Sequence, residues 1–255
     1  MSNSIQHPIR MVIGIARNLL FPPSCVGCGE LLPPFEATQE VFCPLCRAAW
    51  EAAVTEAAKQ SAEDIAEGLV YLAFYHSGQT DGIPERLIYH IKHAGEKRVF
   101  SFVSTRLAPR LLSAANALPG RRPEGDDKPL LFTYPPRRRS AVSKDGFDQA
   151  KELAKALALV CDGELVALIQ RTHRRSEEQK TLNTEERATN AASSYKLSDK
   201  AAAVVRDRTV VVCDDLCTTG ATLNYCATLL MEAGARSVIL CTVAQTGGKD
   251  HRVHT

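Results

Sequence analysis

Apolar residues recur at helical spacing near the start of the chain. Ile5, Ile9, Val12, Ile13, Ala16, Leu19 and Leu20 share one face, which predicts a short amphipathic helix over 5–20 packed on the protein's own body. Residues 22–46 break that rhythm with Pro, Cys and Gly. An alanine-rich helix over about 47–66 follows. The unbroken apolar run 69–75 reads as a strand, and His76-Ser77-Gly78 as a turn. Helical periodicity returns over about 82–93 and 97–115. The polar stretch 119–129 is a loop. Residues 130–134 form a short buried strand, 135–146 a basic loop and 147–160 a helix. Residues 165–169 are a strand candidate, and 183–192 look helical. Runs rich in β-branched residues at 209–213 and 238–243 bracket a helix over about 220–233. Strands alternating with helices predict an α/β fold, a mostly parallel sheet with helices on both faces.

Composition narrows the class without changing this picture. The chain has 255 residues, 45% hydrophobic and 24% charged, which are ordinary globular values. Lys and Arg number 31 against 29 Asp and Glu, a net charge of +2, so wholesale disorder and a strongly basic nucleic-acid coat are excluded. No apolar run is long enough to span a membrane. The N-terminal apolar stretch is interrupted by Arg17 and followed by Pro22-Pro23, unlike a secretory signal.

Nine cysteines, an odd number, argue against a simple disulfide framework and for a reducing cytoplasm. Cys25-x2-Cys28 and Cys43-x2-Cys46 form two tight pairs. Each pair can build a knuckle that aims two thiolates at one point, and Gly27 and Gly29 supply its turn. Four thiolates suit a closed, structural Zn²⁺ site. The alternatives are free thiols or a redox pair, which two pairs at this spacing disfavour, and an iron–sulfur cluster, a smaller rival. The expected organisation is an N-terminal helix and four-cysteine zinc-ribbon module over 1–50, then an α/β domain over 51–255. Cys161, Cys213, Cys226 and Cys241 read as small core residues.

The richest stretch is Val210-Val211-Val212-Cys213-Asp214-Asp215-Leu216-Cys217-Thr218-Thr219-Gly220-Ala221-Thr222. A buried strand leads into two carboxylates, then a Thr/Gly loop, then a helix. Ligands of open α/β sheets bind beyond the carboxyl ends of strands. Free N–H groups at a helix start can cradle a phosphate, with Thr218, Thr219 and Thr222 adding hydroxyls. Carboxylates beside such a cradle make sense facing hydroxyl donors, such as a ribose diol, or a divalent cation. Cys217 lies near the helix start, where a thiol pKa tends to fall.

This stretch closely resembles the 5-phosphoribosyl-1-pyrophosphate (PRPP) signature of type I phosphoribosyltransferases. The resemblance implies that Asp214 and Asp215 engage the ribose hydroxyls and that Leu216, Cys217, Thr218, Thr219, Gly220, Ala221 and Thr222 bind the 5′-phosphate. It implies Mg²⁺ as the partner of PRPP. The whole chain resembles the ComF family of competence-associated, double-zinc-ribbon, phosphoribosyltransferase-like proteins. Leu20-Phe21-Pro22-Pro23-Ser24-Cys25-x2-Cys28-Gly29 looks like that family's opening. Leu87-Ile88-Tyr89-His90-Ile91-Lys92-His93-Ala94-Gly95 and Gly146-Phe147-Asp148-Gln149 resemble two of its motifs. Arg171, Gln179, Arg187 and Asn190 resemble a third.

Two departures stand out. Asp145 replaces the family's Arg before Gly-Phe, and Asp148 its Asn before Gln. Both lie where pyrophosphate or an acceptor would be faced, and added negative charge there opposes pyrophosphate unless Mg²⁺ intervenes. Arg137, Arg138, Arg139 and Lys144 remain as cationic candidates, and Asp148 as a weak candidate base. His90 and His93 read as capping or surface residues, and Arg171 with His173, Arg174 and Arg175 as a second basic cluster. Two functions follow from the resemblance. One is phosphoribosyl transfer to an acceptor that the residues do not name, with a role in DNA uptake. The other is a non-catalytic module that senses PRPP or grips single-stranded DNA beside a competence helicase. Only 6% of the chain is aromatic, so rings to stack on bases are scarce.

Overall fold

The computed structural model describes residues 22–33, 40–61, 64–65, 67–117, 128–172 and 194–247. The helices expected over 5–20 and 183–192, most of the 119–129 loop, and His173, Arg174, Arg175, Gln179, Arg187 and Asn190 lie outside them. Helix α1 (Pro44–Gln60) follows the cysteine pairs, with Pro at its first turn, where a missing N–H costs nothing. Then come β1 (Leu69–Val70), β2 (Ala73–Tyr75), α2 (Ile83–His93), α3 (Lys97–Ala117) and β3 (Leu131–Thr133). After these follow α4 (Arg139–Asp145), α5 (Gln149–Val160), β4 (Glu164–Leu165), β5 (Ile169–Arg171), β6 (Tyr195–Leu197) and α6 (Ala201–Val205). The described chain closes with β7 (Thr209–Cys217), α7 (Ala221–Glu232) and β8 (Ser237–Thr246).

The main sheet runs β1-β8-β7-β3-β4, with β2 also on β8, and every pairing is parallel. Alternation along the strands feeds two cores. Val70, Leu72, Phe132, Val211, Cys213, Ile239 and Cys241 face one way, onto residues of α2, α3 and α5. Leu69, Leu131, Val210, Val212 and Leu240 face the other way, onto α6 and α7. Both faces are therefore covered, as a parallel sheet requires, and the expected α/β architecture is what the chain adopts.

The cysteine module packs on the first core. Trp50 and Phe42 are sealed from solvent and meet Phe102 of α3 with ring centroids 6.2 and 5.4 Å away. Cys25, Val26 and Leu32 belong to the same continuous core.

Several elements depart from the sequence reading. The strand expected over 69–75 is two short strands with Tyr71 and Leu72 between them. The strand expected over 165–169 is also two. Glu164–Leu165 joins the main sheet, and Ile169–Arg171 pairs antiparallel with β6, which the sequence did not announce. The expected basic loop 135–146 contains α4, closed by Gly146 in the left-handed region (φ +81°). Strand β7 runs on through Asp214 and Asp215 to Cys217, because β8 stays paired with it as far as Gln245. The acidic pair thus lies on the strand itself.

Candidate functional site

Strand β3 ends at Thr133, paired with Val212, while β7 runs on to Cys217. The acidic pair and the Thr218–Gly220 turn stand at the end of β7, and the 134–148 stretch follows the end of β3. Gly220 adopts φ +73° as the residue before α7, a conformation that β-carbon-bearing residues resist. The Ala221 N–H donates to Thr219 Oγ1 at 3.4 Å, and Thr218 and Thr219 are exposed. Residues 218–220 therefore form a turn between β7 and the start of α7, with the Thr218 and Thr219 hydroxyls on its open side. Leu216 and Cys217 point elsewhere. Leu216 packs on the first core, and Cys217 is buried in the second. Burial, then the charge of Asp214, pushes the Cys217 thiol up to about 12. The lowered pKa expected at the helix start does not occur, because the side chain turns into the core.

Asp215 is 4% exposed. Its Oδ2 has no hydrogen-bond donor and stands 3.5 Å from Lys92 Nζ of α2. Asp214 is partly open, and its Oδ1 accepts the Asp215 N–H at 2.8 Å. Burial first, and then the neighbouring Asp215 charge, pushes the Asp214 carboxyl well above the usual range, while Lys92 pulls the other way. Tyr195 of β6 lies in the field of Asp214, and its hydroxyl accepts from Arg171 Nη1 at 2.8 Å. Lys92 and Tyr195 were not singled out by sequence reasoning. The lysine's own signal was its place in the Leu-Ile…Lys…Gly motif. Tyr195 had none.

In the basic stretch, Arg137 is spent on structure. Arg137 Nη2 pairs with Asp145 at 2.8 Å. Asp148 is the N-cap of α5, accepting the Lys151 N–H at 3.3 Å, and it also accepts the Arg137 N–H at 2.9 Å. Both departures from the family pattern thus have local work: one neutralises Arg137 and the other caps a helix. With its oxygens engaged, Asp148 is poorly disposed to act as a base. Arg138, Arg139 and Lys144 are at least partly open to solvent. His93 is exposed and its ring lies 4.7 Å from that of Tyr89, while His90 Nδ1 stands 3.6 Å from Glu96 Oε1.

The cysteine quartet is assembled. The Sγ atoms of Cys25, Cys28, Cys43 and Cys46 lie within 4.8 Å of one another, and Cys28 Sγ and Cys43 Sγ are 3.7 Å apart. A tetrahedron with Zn–S bonds of about 2.3 Å needs sulfurs roughly 3.8 Å apart, so the donors fit Zn²⁺. Burial opposes ionisation of Cys25, yet N–H donors from Cys43, Cys28 and Gly27 outweigh it and bring that thiol down to about 7. For Mg²⁺ the fit is of another kind. The carboxylates of Asp214 and Asp215 are hard oxygen donors, and Asp215 Oδ2 has no donor of its own.

Residues 141–254 match the phosphoribosyl transferase domain. That stretch takes in α5, β4 to β8, the acidic pair and the threonine turn. It leaves out the four-cysteine module, α2 and Lys92. By this match the acidic pair lies in a phosphoribosyltransferase-type domain. No curated protein matches the chain. Among solved structures, the allosteric regulatory enzyme of purine biosynthesis is similar at 15% identity and a TM-score of 0.36, over 61% of this chain and 30% of that one. The chain thus spans under a third of that enzyme's length. A hypothetical protein from Neisseria gonorrhoeae with bound ppGpp is similar at 13% identity and a TM-score of 0.36, over 61% of this chain and 73% of that one. A hypoxanthine phosphoribosyltransferase from Staphylococcus aureus is similar at 15% identity and a TM-score of 0.33, over 62% and 68% respectively. Among the described residues, no helix is long and apolar enough to cross a membrane.

Proposed function

We propose that the chain binds PRPP with Mg²⁺ at the end of β7 and transfers its phosphoribosyl group to an acceptor, as a ComF-like protein of DNA uptake in the cytoplasm. One observation carries the reading: an acidic pair on a central strand, Asp215 buried and Asp214 partly open, runs directly into a threonine turn whose Gly220 opens α7. On this reading the turn's N–H groups, with Thr218, Thr219 and Thr222, hold the 5′-phosphate. Asp214 and Asp215 accept from the ribose hydroxyls and favour positive charge developing at C1. An acceptor lone pair forms the new bond to C1 as the C1–O bond to pyrophosphate breaks. Pyrophosphate leaves with that electron pair, and the acceptor gives up its proton. Bound with PRPP, Mg²⁺ would neutralise charge on the leaving group. The four-cysteine site holds Zn²⁺ structurally, since four thiolates leave no open position.

A second reading keeps the binding and omits the transfer. Arg137 is already paired with Asp145, which withdraws a cation from the segment expected to face pyrophosphate. Such a module would sense PRPP or act beside a helicase on single-stranded DNA. Calorimetry of PRPP with Mg²⁺ tests the shared pocket: saturable binding by wild type and its loss in Asp214→Asn/Asp215→Asn are expected. Absence of binding by the folded, zinc-loaded wild type refutes both PRPP readings. Pyrophosphate release with a trial acceptor then separates transfer from binding alone.

A further inference from the structure

Helix α2 touches the cysteine knuckle with one face and the acidic pair with another. Near its start, the Arg86 guanidinium donates to the Gly27 carbonyl, between Cys25 and Cys28. In its last turn, His90 meets Glu96, which pairs with Arg98 Nε at 2.7 Å. Arg98 Nη2 in turn donates to the Ser24 carbonyl at 2.6 Å, and its Nη1 to the Glu40 carbonyl at 3.2 Å. The nearby His90, followed by Arg98, pulls the Glu96 carboxyl down to about 2 against the cost of its burial. Arg86 and His90 are four residues apart, on one helix face. Both tethers end on backbone carbonyls beside Cys25. Lys92, on another face, reaches Asp215.

Apolar packing also spans the junction, since Ile83, Leu87 and Ile88 of α2 lie on the same core as Cys25, Cys43 and Cys46. A cleft of about 530 Å³ opens between the knuckle and α2, lined by Gly27, Tyr75, Arg86, Tyr89, His90 and Lys92. The position of α2 against the knuckle is set by this packing together with the polar tethers. The knuckle in turn depends on the thiolates. A β-carbon at Gly27 would come 2.7 Å from Cys46 Sγ and 2.9 Å from Ile83 Cδ1 of α2, so this turn is shaped around the cluster and the helix together.

We infer that metal at the four-cysteine cluster controls the ligand site: the loaded knuckle holds α2 through Arg86 and the Arg98–Glu96–His90 chain, and so sets Lys92 against Asp215. Removing the metal removes the bonds that hold the two cysteine pairs at one point, and the knuckle loosens. The carbonyl acceptors of Arg86 and Arg98 then shift, and among the described residues Arg86 has the highly exposed Asp81, 3.7 Å away, as its alternative. Coupling of this kind is reciprocal. A ligand that favours the ordered acidic pair must tighten metal binding by the same factor that metal tightens the ligand. Arg86 is a positioning residue here.

The test uses the full chain and two readouts. The first needs no PRPP: the Lys92 side-chain NMR resonance, assigned by Lys92→Arg, in zinc-loaded protein. In Arg86→Ala it is expected to move to the position seen in Asp215→Asn, with the far-ultraviolet circular dichroism unchanged. If Arg86→Ala fails to fold, Arg86→Lys replaces it, since a lysine keeps the charge and loses the fork. A Lys92 resonance unmoved in a folded variant overturns the inference. The second readout is zinc affinity by chelator competition with and without PRPP and Mg²⁺. It rests on the PRPP reading and is expected to rise about fivefold with ligand, in the usual range of such couplings. Unchanged zinc affinity while PRPP binds overturns the inference and leaves the PRPP reading standing. Failure of PRPP to bind removes that reading, and the Lys92 resonance still decides the inference.

Discussion

Lys92 Nζ stands 3.5 Å from Asp215 Oδ2, joining the last turn of α2 to the acidic end of β7. The aspartate oxygen has no other donor. The lysine is thus what compensates a carboxylate that the fold has largely withdrawn from water. A double-mutant cycle of Lys92→Met and Asp215→Asn, read by urea unfolding, should give a favourable coupling of about 0.5–1 kcal/mol, because the lysine remains partly solvated. Additive single effects would show that the two groups do not interact.

Asp214 should make the protein pH-sensitive in a defined direction. Its folded carboxyl is raised by burial and by Asp215, while the unfolded one titrates near about 3.9. The folded state therefore holds the proton over a wider range than the unfolded state. The associated stability is fully present below the unfolded value and is lost as pH rises through the folded one. Asp214→Asn should accordingly unfold at higher urea than wild type near pH 7, with the gap closing toward about pH 4. A constant gap across that range would contradict the shift.

Asp148 is expected to behave as a cap and not as a base. Asp148→Ala should lower stability by about 1 kcal/mol, and Asp148→Asn by less, since its one side-chain oxygen can still accept the Lys151 N–H but not the Arg137 N–H as well. Equal losses in both variants would mean that the carboxylate's charge matters more than its capping.

How far the sequence carried can be judged at this same place. The apolar run Val210–Cys213, the acidic pair and the Thr/Gly turn were recognisable because each is local: a strand, a charge step and a turn residue in the order of the chain. The end of that strand was not, since β7 extends to Cys217 only because β8 stays alongside it. The Arg137–Arg139 run looked like a loop of spare positive charge. It became a helix start and an ion pair once Asp145 and Asp148 found partners eight and eleven residues away. Lys92 was visible as a residue of a motif and illegible as a partner of Asp215, because that contact depends on how α2 packs across the sheet. Strand β6 has no strong alternation and exists by pairing with β5.

Metal removal should weaken the knuckle first. The purified chain is expected to carry one zinc per Cys25–Cys28–Cys43–Cys46 cluster by elemental analysis. Loading at a thousandfold over Kd should stabilise by about 4 kcal/mol relative to the chelated protein. Cys46→Ser should abolish the zinc dependence of thermal unfolding. Iron in place of zinc, with a visible charge-transfer band, would instead identify an iron–sulfur cluster.

The sheet's order has a consequence for biosynthesis. Strands β1 and β2, near residue 70, pair only with β8 among the described strands, which begins at Ser237. While the chain leaves the ribosome, Leu69, Val70 and Leu72 must wait for about 165 residues of further translation before their partner strand exists, roughly ten to thirty seconds at ordinary elongation rates. Over that interval a nascent chain offers an unfinished apolar edge, which makes this a protein whose yield should respond to chaperone supply and to a slowed growth temperature.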